Sequence, residues 1–217
     1  MMTVFHHRLS CLSRQMLRLL AFLMCLPLAA CTVLPKTPVS QVWLLPAQPG
    51  KPSSGQNINR SLRVVQPNTS QFINSSRIAV QPQNAEITVF SGSRWSDSVP
   101  LLVRNRLTLE LRTDGRFLSV SSDDDNLQAD LELGGDLSSF QGVYRGTQGE
   151  VLIQFDARLV QTSDRRVIAS HRFVIRQPIN GSTMNEVVEA FGLASDRLAA
   201  EMLYWLGNIS SIRSPSA

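Results

Sequence analysis

The chain has 217 residues, 43% of them hydrophobic, with 21 basic and 17 acidic side chains, a formal charge of +4 and a mean hydropathy of −0.03. This composition excludes a collagen-like or low-complexity chain, and three cysteines are too few for a disulfide scaffold. The sequence pI of about 9.4 invites a polyanion partner, but three of the arginines (Arg8, Arg14, Arg18) precede residue 31, and residues 31–217 carry 18 basic against 17 acidic residues. A net charge of +1 and an even spread of arginines argue against nucleic-acid binding.

The chain opens with the anatomy of an export signal. Those arginines have no acidic neighbour in residues 1–30, and the apolar run Leu19–Leu26 ends at Pro27. Eight apolar residues are too few for a spanning helix, which needs roughly 20. The run leads into Leu28-Ala29-Ala30-Cys31, which reads as a lipobox. Small residues let a peptidase reach the Ala30–Cys31 bond, and the Cys31 thiol is the nucleophile that takes a diacylglyceryl group. The expectation is a signal peptide over 1–30, cleaved between Ala30 and Cys31, and a mature chain anchored by acyl groups, each buried CH₂ contributing roughly 0.8 kcal/mol. Cys11 and Cys25 leave with the leader, so no thiol remains after Cys31.

Residues 31–60 read as a proline-punctuated tether, with Lys51-Pro52-Ser53-Ser54-Gly55 as a flexible spacer. About 25 flexible residues have an r.m.s. span of about 25–30 Å. Within it Val42-Trp43-Leu44-Leu45 is apolar enough for a short strand or a docking segment. A single domain is expected over 61–209, followed by a polar tail over 210–217.

Leu62–Val65, Arg77–Val80 and Glu86–Phe90 are strand candidates, β-branched and bounded by turn residues. A helix over about 97–113 follows, capped at Asp97 or Ser98, with Val99, Val103, Leu107 and Leu111 on one stripe and Gly115 as its stop. Phe117–Val120 is the next strand. Alternation through Ala129–Leu133, Val151–Leu159 and Val167–Ile175 predicts an antiparallel meander with one wet face. Gln141–Glu150 and Thr162–Arg165 read as its turns. Thr183-Met184-Asn185-Glu186 is a capping box opening a helix over 183–207, whose stripe Val187, Phe191, Ala194, Leu198, Met202, Trp205 reads as core.

Catalytic groupings are sparse. His171 is the one histidine after the leader, and its place among Val167, Ala169, Phe173 and Ile175 predicts a hydrogen-bonded core residue. There is no Gly-x-Ser-x-Gly, and both lysines (Lys36, Lys51) fall in the tether. Asp123-Asp124-Asp125 lacks the spacing of a calcium loop and reads as a solvated turn. No phosphate loop with a following Lys-Ser or Lys-Thr exists, so the chain is not itself an ATPase. No cofactor, metal or catalytic residue is assigned. The 16 arginines from Arg60 onward allow carboxylate or phosphate pairing, with codon bias the favoured explanation.

The lipobox at Cys31, the patch Val42-Trp43-Leu44-Leu45-Pro46, and the stretch from Arg77-Ile78-Ala79-Val80 through Ser93-Arg94-Trp95-Ser96-Asp97 together resemble the ABC-type transport auxiliary lipoprotein family, its PqiC-like branch in particular. The resemblance covers about residues 28–207, with Trp43 where that family usually has tyrosine. It implies an α/β fold, a three-layer-like sandwich with a mixed, largely antiparallel sheet and two main helices. It implies a non-enzymatic accessory subunit of MCE-domain lipid transporters, docking a periplasmic assembly to the membrane. Phospholipid and further copies of the chain are additional partners it allows. Thr32, where aspartate would retain a lipoprotein at the inner membrane, implies an outer-membrane anchor facing the periplasm. Trp43, Arg94 and Trp95 are the candidate partner contacts, with a structural role favoured for the Arg94–Trp95 pair. Competing readings are a lipid carrier with its own cavity and a structural envelope lipoprotein.

Overall fold

The period-two segments of the second half become the longest strands, and they set the shape of the sheet. The computed structural model describes residues 40–48 and 50–213. The signal peptide, Ala30, Cys31 and the end of the tail lie outside the described residues. Among the described residues, nine strands form one sheet: β1 (Gln41–Trp43), β2 (Ile58–Val64), β3 (Asn68–Thr69), β4 (Arg77–Gln81), β5 (Thr88–Trp95), β6 (Phe117–Ser122), β7 (Leu131–Arg145), β8 (Gln148–Gln161) and β9 (Arg166–Pro178). Two main helices, α1 (Val99–Asp114) and α2 (Met184–Gly207), and a short α3 (Ser210–Arg213) complete it.

Strand β7 is the axis of the sheet. One edge pairs antiparallel with β8 along its whole length, and β8 pairs with β9 in the same sense. The other edge receives three shorter strands in parallel: β2 at Leu131–Leu133, β3 at Asp136–Leu137 and β4 at Gln141–Val143. Beyond them, β6 runs parallel to β2, β5 antiparallel to β4, and β1 parallel to β5. The sheet is therefore mixed, with antiparallel ladders the longer ones, and the class is α/β with two main helices, as the resemblance implies. The register of β7 against β8 slips between Leu137 and Ser139. Such a bulge bends a strand and increases its twist. Gly135 nearby has φ 156, and a Cβ there would lie 2.2 Å from the Asp156 carbonyl oxygen. Bulge and glycine together let β7 turn from β2 toward β4, curling the sheet into a half-barrel.

The core lies between the curled sheet and the helices. Val151, Ile153, Phe155, Ala157 and Leu159 of β8 are at most 1% exposed, and their wet-face neighbours carry the polar groups. Helix α1 buries Val99, Val103, Leu107 and Leu111. Ser98 occupies its N-cap without a side-chain bond, Pro100 sits in the first turn, and Gly115 closes it at φ 74. Helix α2 begins with the anticipated capping box, Thr183 N–H donating to Glu186 Oε2 at 2.8 Å and Glu186 N–H to Thr183 Oγ1 at 3.4 Å. Its stripe is buried through Met202, and Trp205 is half-buried.

Four local readings need correction. The β7–β8 turn is Gly146-Thr147, so most of Gln141–Glu150 belongs to the strands. Gly142 and Gly149, taken as turn residues, are strand positions over which the ring of Tyr144 packs. His171 is exposed: it lies against Phe173 at 4.5 Å and under Trp205 at 5.9 Å, ring to ring, near the end of the helix. Residues from Ser40 onward lie on the domain, because β1 joins the sheet and Ser53 N–H donates to the Asp114 carbonyl at 3.0 Å.

Candidate functional site

Pairing of β1 with β5 assembles the residues singled out from sequence. Val42 stands opposite Arg94, and Trp43 opposite Trp95. Ser96 N–H donates to the Trp43 carbonyl at 2.8 Å, and Trp95 N–H to that of Ser76 at 2.7 Å. These bonds fix the junction where the sheet hands over to α1. Trp95 is 0% exposed, its ring edge-on to Phe191 at 5.2 Å and to Phe140 at 6.3 Å. It offers no surface to a partner. Arg94, one residue earlier in a strand, is exposed, and Trp43 is half-buried against the core. Val42 and Leu44 are 52% and 75% exposed, beside a groove shared with Pro46 and with Val188 and Glu189 of α2. Among the described residues, neither Trp43 nor Trp95 finds an acceptor for its indole N–H.

The chain beyond β1 runs across both helices and is gripped there by a buried ionic cluster. Arg106 of α1, 6% exposed, donates through Nη2 to the Pro46 carbonyl at 2.7 Å and to Asp196 of α2. Gln48 N–H donates to the other Asp196 oxygen at 3.3 Å. Glu110, one turn along α1, lies 4.0 Å from Arg106 Nε. Burial raises the Glu110 carboxyl above its ordinary value, with Arg106 pulling the other way and Asp196 adding to the rise. Pro46 sits directly over Gly192 of α2, where a Cβ would lie 3.0 Å from both its Cβ and its carbonyl oxygen. The missing side chain is the seat. Residues 41–48 thus form a strap pinned by strand pairing at one end and by a desolvated charge cluster at the other.

Sequence reasoning did not find this cluster. Its one signal is the Arg106–Glu110 spacing of four on a helix, which ordinarily marks a solvated pair. Arg104 escaped notice in the same way. It is 3% exposed and bonds both Asp123 and Asp124, so the aspartate triplet, a solvated turn as read from sequence, is also the counter-charge of a buried arginine. The third aspartate, Asp125, accepts from Ser122 N–H at 2.8 Å. Among the described residues, ten of the arginines from Arg60 onward make carboxylate pairs.

Four of these pairs tile the wet face of the sheet: Arg63–Glu132, Arg158–Asp136, Arg172–Asp156 and Arg176–Glu150. Hydrogen bonds from Arg158 and Arg172 hold Asp136 and Asp156 below the usual carboxylate range. No group of three or more metal-ligating side chains occurs among the described residues, nor is any described helix long and apolar enough to cross a membrane.

Against known proteins, the model of the family described as ABC-type transport auxiliary lipoprotein component matches residues 43–203. The fold is similar to that of protein XCC0632 from Xanthomonas campestris, of the DUF330 family model, with TM-score 0.74 and 22% identity over 79% of this chain and 97% of that one. A second, uncharacterized protein aligns with TM-score 0.63 and 16% identity, over 77% of this chain and 99% of its own. At these identities the likeness is one of fold. Comparison with curated proteins returns no match. The family match spans most of the chain and starts at Trp43, so the strap is part of what is matched: the chain belongs to the ABC-type transport auxiliary lipoprotein family.

Proposed function

We propose that this member of the ABC-type transport auxiliary lipoprotein family is a non-enzymatic outer-membrane lipoprotein, lipidated at Cys31, that docks an MCE-type periplasmic lipid transporter to the bilayer. The observation that carries the reading is the family match over residues 43–203, together with Leu28-Ala29-Ala30-Cys31 upstream of it. Acyl chains on Cys31 supply the membrane hold, since two or more chains anchor stably where one does not. Thr32 supports the outer membrane over the inner. The domain supplies a protein-binding surface, for which the exposed Arg94, Val42 and Leu44 and the half-buried Trp43 are the first candidates.

The test uses the full-length chain expressed in its own cell. Intact mass of the native product should show loss of residues 1–30 and added acyl mass, and Cys31→Ser should abolish both the acyl mass and the membrane fraction. Affinity capture from solubilised envelopes should recover an MCE-domain protein. An intact leader on the native protein refutes the anchor. Capture that yields no MCE-domain protein at any salt concentration refutes the transport role while leaving the anchor standing.

A further inference from the structure

Strand β9 is the far edge of the sheet and, among the described residues, pairs with β8 alone. It is 13 residues long, and its one proline is its last residue. An edge of that length presents a row of unpaired N–H and C=O groups that templates another strand unless something blunts it. Two bonds show which groups face out. Ile179 N–H donates toward β8, to the Gly149 carbonyl, whereas the Arg176 carbonyl accepts from Arg197 Nη1 of α2. Backbone polarity alternates along an antiparallel strand. Residues 171, 173 and 175 therefore face β8, and Arg172, Val174 and Arg176 turn their amides outward.

The two faces beside this edge differ in chemistry. On the wet face stand Arg172 and Arg176, and no acidic residue occurs anywhere in 166–178. Arg172 and Arg176 reach inward to Asp156 and Glu150 of β8. Each guanidinium has five donors, so donors remain for the outer side. On the apolar face a groove runs between the edge and the end of α2, lined by His171, Phe173, Tyr204 and Trp205. Phe173 and Trp205 meet edge to face at 5.8 Å, and Tyr204 is 77% exposed. Glu201 at the rim is paired with Arg197 at 3.9 Å.

We propose that the β9 edge receives, as an added strand, an extended segment of a protein partner with acidic side chains on one face and apolar side chains on the other. In strand addition the main chain supplies affinity and alternate side chains supply specificity. Acidic groups opposite Arg172 and Arg176 gain cross-strand ion pairs, and the alternating apolar residues fall into the aromatic groove. A second copy offering its own β9 brings arginines against arginines, which cross-strand pairing disfavours. The inference stands on this edge alone and holds whether or not the partner belongs to a transporter.

The test uses the full-length chain in detergent micelles and a fluorescent eight-residue peptide of alternating Glu and Leu, with a Lys–Leu peptide as charge control. The Glu–Leu peptide should bind at least tenfold more tightly than the Lys–Leu peptide. Val174→Pro removes one outward donor and spares the β8 ladder, a placement edge strands tolerate. It should weaken binding at least tenfold with the circular dichroism unchanged. Should that variant fail to fold, the double variant Arg172→Gln/Arg176→Gln keeps the question open to measurement: it should abolish the preference for Glu over Lys. Equal binding of the two peptides, undiminished binding by folded Val174→Pro, or a preference that survives the double variant overturns the proposal. Self-association of the chain that Val174→Pro abolishes, with no peptide bound, also overturns it, in favour of a contact between copies.

Discussion

Arg104 and Arg106 stand two residues apart on α1, and both are almost fully withdrawn from water. Removing a guanidinium from solvent costs several kcal/mol, which is recovered only with good pairing. Each therefore draws carboxylates from distant parts of the chain, Asp123 and Asp124 in one case and Asp196 in the other. Glu110 is the less settled member. Desolvation raises its folded-state value above that of an unfolded glutamate, which is about 4.3. Above that value the unfolded chain has lost a proton that the folded chain still holds, so stability declines as pH rises through the folded value. Glu110→Gln should remove this decline: as pH rises above the unfolded value, urea midpoints of the variant should stay level where those of the native chain fall. A variant curve parallel to the native one would mean that Glu110 ionises as freely as in water.

At the scale of elements, the strap is where local sequence and final placement diverge most. Pro46, Gln48 and Pro49 have the composition of a spacer, and Gly192, far along the chain, makes room for Pro46. Gly192→Leu tests the seat. Leucine is a better helix former than glycine, which falls about 0.8–1 kcal/mol below alanine, so α2 should persist while Pro46 is driven off. Amide exchange at Ser96 and Gln48, whose N–H groups bond Trp43 and Asp196, should accelerate at least tenfold, with Phe191–Leu198 still protected. Unchanged protection at Ser96 and Gln48 would show that Pro46 is not what holds the strap. Strand β7 teaches a related lesson. Its glycines and those of β8 mimic turn composition, yet the two-residue turn falls at Gly146-Thr147, and Gly149 lies in β8 close beneath the ring of Tyr144.

For the whole molecule, docking of the strap changes the distance available between domain and anchor. If Cys31 carries the lipids, eight residues, 32–39, separate it from Ser40. At 3.3–3.6 Å per extended residue the domain would stand about 30 Å from the bilayer at most. The wet face is an arginine–carboxylate mosaic whose acids Asp130, Asp136 and Asp156 are held below their usual range, by Ser61 in the first case and by Arg158 and Arg172 in the others. A depressed carboxylate contributes its stability in full above its unfolded value and loses it as pH falls through the folded one. The native chain should thus lose stability from about pH 5 downward. Glu110→Gln should leave that acid limb intact, since it belongs to the other face.

Much of this was legible in residue order. Period-two and period-3.6 alternation, the capping box at Thr183 and the stop at Gly115 are local patterns, written by neighbours within a turn or a strand, and they read correctly for β8, for the second half of β9 and for both helices. Family likeness was legible for the same reason, through short strings such as Arg94-Trp95. Other features depended on residues far apart in the chain. Exposure of His171, pairing of the arginines and seating of Pro46 each turn on which distant surface covers which. A helix stripe states that it needs cover, but not where the cover ends. Desolvation and register are properties of the assembled sheet and helices, and a string of residues carries them only after it has folded.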